Sequence, residues 1–233
     1  MTIMTACTDA AYELLGYDSA PASLFSSTDE FAVELRTLAN KTATAVAKAH
    51  DWRKLTLLKT QAGDGSDTSF ALPTDYDRMP LKAMIWSTAY TTPLQRVEDL
   101  DEWLHMQLTD ITVSPGSWIM LGGELQILPA MAASESAKYY YISTLLWSTS
   151  AGVAATKAAA TLDGDVFTLP ERLITLGVIW RWKQMKGKEY SEDLRNAEVA
   201  FNEEAGREKG SRILHVGRAR IPGDVVTAYP GTV

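Results

Sequence analysis

The apolar residues of this chain keep a helical period at both ends and lose it in the middle. Phe31, Leu35, Leu38, Thr42, Ala45, Ala49 and Trp52 step by three and four and make one continuous stripe. A second stripe runs through Leu173, Leu176, Gly177 and Trp180, widened by Ile174, Val178 and Met185, and a third through Leu194, Ala197, Phe201 and Ala205. A shorter helix is predicted over residues 8–16, with Ala11, Leu14 and Leu15 on one side and Gly16 as its stop. Neither helical set buries its stripe comfortably alone. The simplest packing joins the N-terminal and C-terminal helices into a four-helix bundle, with the middle of the chain as an insertion. The predicted class is therefore α+β.

The corner that launches the C-terminal helices is written in T-L-D-G-D-V-F-T-L-P-E, residues 161–171. Thr168 reads as a helix cap, with Glu171 three residues on to complete a capping box and Pro170 in the first turn, where a missing N–H costs little. Ser27 and Glu30 read as a second box. Gly187 marks a helix end, and Glu192 and Asp193 suit the positive end of the last helix.

The middle reads as a mostly antiparallel β region. Residues 54–61 and 68–72 are predicted to pair back across Gly63-Asp64-Gly65-Ser66-Asp67, and residues 82–88 and 138–147 are further strands. Residues 118–121 and 125–128 form a hairpin, because paired Gly122 and Gly123 admit the positive φ of a tight turn. A short helix over 100–108 carries Trp103, Leu104 and Leu108, and residues 152–160 take no assignment. The expected division is N-terminal helices over 1–52, a β-rich insertion over 53–162, C-terminal helices over 163–210 and an extended tail over 211–233.

Composition narrows the function. A 46% hydrophobic content over 233 residues supports a real core. The net charge of −7 disfavours general nucleic-acid binding through a basic surface. Residues 1–162 hold 11 basic and 18 acidic side chains, whereas the tail carries Arg212, Arg218 and Arg220 against Asp224 alone. An acidic body with a basic tail points to a tail that meets an acidic surface. No apolar run is long enough for a membrane span, and M-T-I-M-T-A-C does not read as a secretory signal. The single cysteine, Cys7, fits folding in a reducing compartment.

No catalytic constellation stands out. His50, His105 and His215 are isolated, and neither a G-x-S-x-G elbow nor a G-x-x-x-x-G-K phosphate loop occurs. Asp64 and Asp67, like Asp163 and Asp165, lack calcium-loop spacing and read as turn and cap residues. Asp75 and Asp77 could in principle form an acid pair for glycoside hydrolysis. The seven tryptophans read mainly as core or interface anchors. The competing reading is a carbohydrate-binding or carbohydrate-cleaving tail component, with a groove lined by Trp86, Trp103 or Trp118.

Taken in order, several motifs resemble the head-to-tail adaptor (connector) proteins of tailed bacteriophages, the class that includes tail tubular protein A. They are H-D-W-R-K-L at 50–55, F-A-L-P-T-D-Y-D-R-M at 70–79 and W-I-M-L-G-G-E-L-Q-I-L-P at 118–129. K-Y-Y-Y-I-S-T at 138–144, L-D-G-D-V-F-T-L-P-E at 162–171 and W-R-W-K-Q-M-K-G-K-E-Y at 180–190 follow. The resemblance implies a structural virion protein at the head–tail interface, without enzymatic activity, cofactor or metal. It implies a homo-oligomeric ring, commonly of twelve copies, below the portal protein, with the β region facing the next tail (nozzle or tube) protein. Genomic DNA would pass through the lumen without specific binding, which an acidic wall favours. The tail over 211–233 would then contact the portal through Arg212, Arg218, Arg220 and Ile221.

Overall fold

A computed structural model of the protein describes residues 2–16, 20–109 and 114–209. It is α+β, with five helices among the described residues and sheets dominated by antiparallel pairs. The described residues divide into two compact units: one joins the chain up to Thr56 with the chain from Ile142 onward, and the other is Leu57–Tyr141.

The first unit holds α1 (Ile3–Leu15), α2 (Glu30–Ala49), α4 (Arg172–Met185) and α5 (Ser191–Lys209). It also holds a two-stranded antiparallel ribbon of β9 (Trp147–Ser148) and β10 (Val166–Phe167). α4 is its centre and packs against α1, α2 and α5. That is why its buried residues, Leu173, Ile174, Gly177, Val178, Ile179 and Trp182, spread around much of the helix rather than along one stripe. Its closest approach is to α2. A Cβ on Gly177 would lie 2.3 Å from Cγ2 of Thr42, itself fully buried. Gly177→Val is therefore expected to force the two helices apart and destabilise the unit by about 1–3 kcal/mol. Urea unfolding measures this, and an unchanged midpoint would show that the contact yields freely.

α1 begins five residues before its predicted start. Thr2 caps it: the Thr2 hydroxyl accepts the Thr5 N–H at 3.4 Å, and Thr5 Oγ1 accepts the Thr2 N–H at 2.7 Å. A threonine thus closes the box that usually takes Glu or Gln. α2 starts at Glu30 after Asp29, and Ser27 caps nothing beyond the Asp29 N–H at 3.1 Å. Its buried face is Ala32, Leu35, Leu38, Ala39, Thr42, Ala43 and Ala47, whereas Ala45 and Ala49 are exposed. The stripe is rotated because Ala39, Ala43 and Ala47, rather than Ala45 and Ala49, join Leu35 and Leu38 on the buried face. Trp52 lies past the helix and is 1% exposed. Its Nε1–H donates to the Val46 carbonyl at 2.8 Å, and its ring meets Phe201 of α5 edge-on at 5.6 Å.

The corner at 161–171 forms, but by other bonds than those expected. Both the N–H and the hydroxyl of Thr168 bond the Leu146 carbonyl, at 3.0 and 2.8 Å, so Thr168 is tied to the chain entering the ribbon and does not cap α4. Glu171 does not reach back either; its Oε1 accepts the Thr5 hydroxyl of α1 at 2.9 Å.

In the second unit, β1 (Thr56–Ala62), β8 (Ser136–Ser143) and β3 (Tyr76–Arg78) form one sheet, with β4 (Trp86–Ser87) also pairing β8. The other sheet runs β2 (Ser69–Ala71), β7 (Glu124–Leu128), β6 (Ser117–Leu121), β5 (Gln95–Arg96), and only its β5–β6 pair is parallel. The β6–β7 hairpin forms as expected, turning through Gly122 at φ 65° and Gly123 at φ 82°. β2 pairs with β7, not with β1 across the 63–67 turn. Residues 82–88 supply only β4, because Lys82 turns the chain at φ 64°. The strand expected over 138–147 is split between β8 and β9. Phe70, Ile85, Trp118, Ile127 and Tyr139 lie at the centre of this unit's core. α3 (Leu100–Thr109) buries Trp103 and Met106 against Val97 and Ile119. Its Leu100, Leu104 and Leu108 are 58%, 52% and 76% exposed.

Candidate docking surfaces

The D-G-D loop spends both carboxylates on structure. Asp163 accepts the N–H groups of Leu24 at 2.9 Å and Phe25 at 3.1 Å, and the Ser23 hydroxyl at 2.5 Å. Asp165, whose side chain is 1% exposed, accepts the Lys157 ammonium at 2.7 Å and the N–H groups of Thr161 at 2.7 Å and Leu162 at 3.0 Å. Burial pushes the Asp165 carboxyl up, but Lys157 and the two N–H groups more than offset it, and the group lies below its ordinary range. The loop's carbonyls then receive the first N–H groups of α1: Ile3 on Asp165 at 2.7 Å and Met4 on Asp163 at 3.4 Å. Just upstream, the Asn40 amide of α2 holds both the N–H and the carbonyl of Ala160, at 2.8 and 3.3 Å. The capping and turn roles expected of these aspartates are what the geometry gives. The partners of Asp165 are local, whereas those of Asp163, 138 to 140 residues away, were invisible in the sequence. Asp64 does the same locally, accepting the N–H groups of Ser66 and Asp67.

Other reactive groups are committed elsewhere. The Asp75 carboxylate accepts the Tyr141 hydroxyl at 3.1 and 3.2 Å, and Asp77 pairs with Arg78 at 2.5 Å. Burial, then the hydrogen bond to Asp75 and its charge, pushes the Tyr141 phenol up to about 12. His50 sits edge-on to Trp52 at 5.0 Å, His105 is exposed on α3, and His215 lies outside the described residues. Among the described residues, no group of three or more His, Cys, Asp or Glu side chains could hold a metal ion. A cavity of about 640 Å³ in the second unit is lined by Tyr76, Lys82, Arg96, Glu98 and Trp118 among others, with Glu98 its one carboxylate. Trp103 and Trp118 are 1% and 3% exposed, so of the three tryptophans considered for a sugar groove only Trp86, at 41%, faces solvent.

Cys7 on α1 is fully buried, and burial, then the charges of Glu171 and Asp163, push its thiol up to about 12. It is expected not to react with thiol reagents until the protein unfolds. Labelling with and without urea tests this, and rapid labelling of native protein would contradict it.

A groove of about 340 Å³ runs between α2, α4 and α5, lined by Ala45, Val46, Trp180, Leu194 and Phe201. Arg181 also lines it. Its guanidinium donates to Thr42 Oγ1 at 3.0 Å and the Gly177 carbonyl at 3.3 Å, and lies 4.3 Å from the Trp180 ring. No carboxylate among the described residues pairs with it, and burial lowers its proton affinity. Little in the residue pattern warned of this site. The only trace is an arginine set between two tryptophans at 180–182 inside an apolar stripe.

The residues expected to anchor a portal, Arg212, Arg218, Arg220 and Ile221, lie outside the described residues. No helix among the described residues is long and apolar enough to cross a membrane. No curated protein matches the chain. The family model described as SU10 adaptor protein matches residues 1–226. A match over nearly the whole length covers both the helical ends and the β-rich middle. The chain therefore belongs to the SU10 adaptor protein family of phage head–tail adaptors, which gives it a structural, non-enzymatic role as a virion component.

Proposed function

We propose that this protein is the adaptor ring that joins the portal of the phage head to the tail and forms part of the channel for DNA. The family match over residues 1–226 carries this reading. The motif order that resembles tail tubular protein A supports it, as does the acidic balance of the body, since like charge keeps phosphates from sticking to a channel wall. In this reading the helices of the first unit act as a four-helix bundle that sits beside its neighbours in a ring of about twelve copies, by resemblance to the family's usual assembly. The region 53–162 faces the next tail protein, and the tail over 211–233 reaches the portal through Arg212, Arg218, Arg220 and Ile221.

Sedimentation of the protein with purified portal tests the core of this reading. Co-sedimentation is expected, and failure to associate at any salt concentration would sink it. Deleting residues 211–233 is expected to abolish that association while circular dichroism stays native. Binding by the truncated chain would remove the tail from the contact.

A further inference from the structure

The groove of the first unit and α3 of the second are complementary. The groove is mainly apolar, with Thr42 of α2 and Glu198 and Asn202 of α5 also on its wall, and it includes a half-buried guanidinium, Arg181, that forms no ion pair with a carboxylate among the described residues. α3 presents Leu100, Leu104 and Leu108, one turn apart on a single face and all more than half exposed. Asp101 is exposed beside that row, while Trp103 and Met106 anchor the other side of the helix. An amphipathic helix with anchors four residues apart is the shape that apolar helical grooves accept. A carboxylate at its edge would supply what Arg181 lacks.

We propose that the groove between α2, α4 and α5 takes the leucine face of α3 from a second copy of this chain, with Asp101 of that copy meeting Arg181. Groove and ridge are different surfaces of the same molecule, so the contact is head-to-tail and propagates: it closes as a ring or continues as a filament. It deepens the ring reading by naming the surfaces that join neighbours, and rests on that reading only for the need to assemble.

Variants with one added cysteine test it directly, because the native Cys7 is buried and does not compete. Ala45→Cys and Leu104→Cys proteins are mixed, both at high concentration and assembled on portal, and treated with a short bismaleimide. A cross-linked dimer is expected in the mixture and in neither variant alone. No dimer in the mixture, or a dimer from one variant by itself, overturns the contact. So does a double variant that cross-links within one chain at high dilution, which would make the chain's own α3 the occupant. Leu104→Asp and Arg181→Glu, each checked for native melting, are expected to weaken self-association about tenfold or more in sedimentation velocity. Mixing Arg181→Glu with Asp101→Arg should restore it, and unchanged association in both single variants overturns the proposal. The two readings fail separately: a ring on the portal without the cross-link removes this contact alone, and absence of portal binding removes the adaptor assignment alone.

Discussion

Asp165→Ala is expected to cost about 3–5 kcal/mol of stability, the range for removing one partner of a buried ion pair. The loss has three parts. Lys157 keeps its charge without a carboxylate, two backbone N–H groups lose their acceptor, and the loop whose carbonyls cap α1 loses its internal brace. Urea unfolding followed by far-ultraviolet circular dichroism reads this, and a loss under about 1 kcal/mol would mean that water replaces the carboxylate freely. The pH dependence has a definite sign. The folded state holds this carboxyl below its ordinary value, so its contribution is present above the unfolded value of about 4 and fades as pH falls through the folded one. Asp165→Asn should therefore flatten the acid limb of the stability profile, and an acid limb identical to that of the natural protein would contradict this.

Trp52→Ala is expected to cost about 3–5 kcal/mol, as for other large aromatic truncations in cores. Trp52 carries the chain out of α2 and fills the space against Phe201 of α5, so one ring ties residues of the first helices to the last. Trp52→Phe keeps most of the ring but drops the hydrogen bond to the Val46 carbonyl, and should cost far less, about 1 kcal/mol for the bond itself plus a small packing loss. Urea unfolding of the two variants separates these terms. Similar midpoints for both would show that the hydrogen bond, not the packing, matters at this position.

Local features were legible in the sequence, and pairings across it were not. Gly122-Gly123 announced the hairpin because the backbone demand of a tight turn falls on those residues alone. The helices after 168 and 190 were legible from period and stops. The partner of β2 was not, since apolar alternation tells which face a strand buries but not which strand it joins. The rotated face of α2 was missed because alanines occur all around this helix, so a stripe through Ala45 and Ala49 reads as well as the buried one through Ala39, Ala43 and Ala47. Thr2 was missed because a threonine took the place of the usual acid. Of the candidate site, the acidic turn roles could be read, whereas the Arg181 groove exists only once α2 meets the distant pair α4 and α5.

The bonds of the loop at 157–165 also set an order of events during synthesis. The stretch 57–141 is continuous and can fold as it leaves the ribosome. The first two helices cannot finish. Asp163 must hold Leu24 and Phe25, Ala160 must meet Asn40, and Ile3 waits for the Asp165 carbonyl. For more than a hundred residues of translation the opening segment of this polypeptide therefore stays without its mates, and a nascent chain stalled before residue 160 should leave it open to protease.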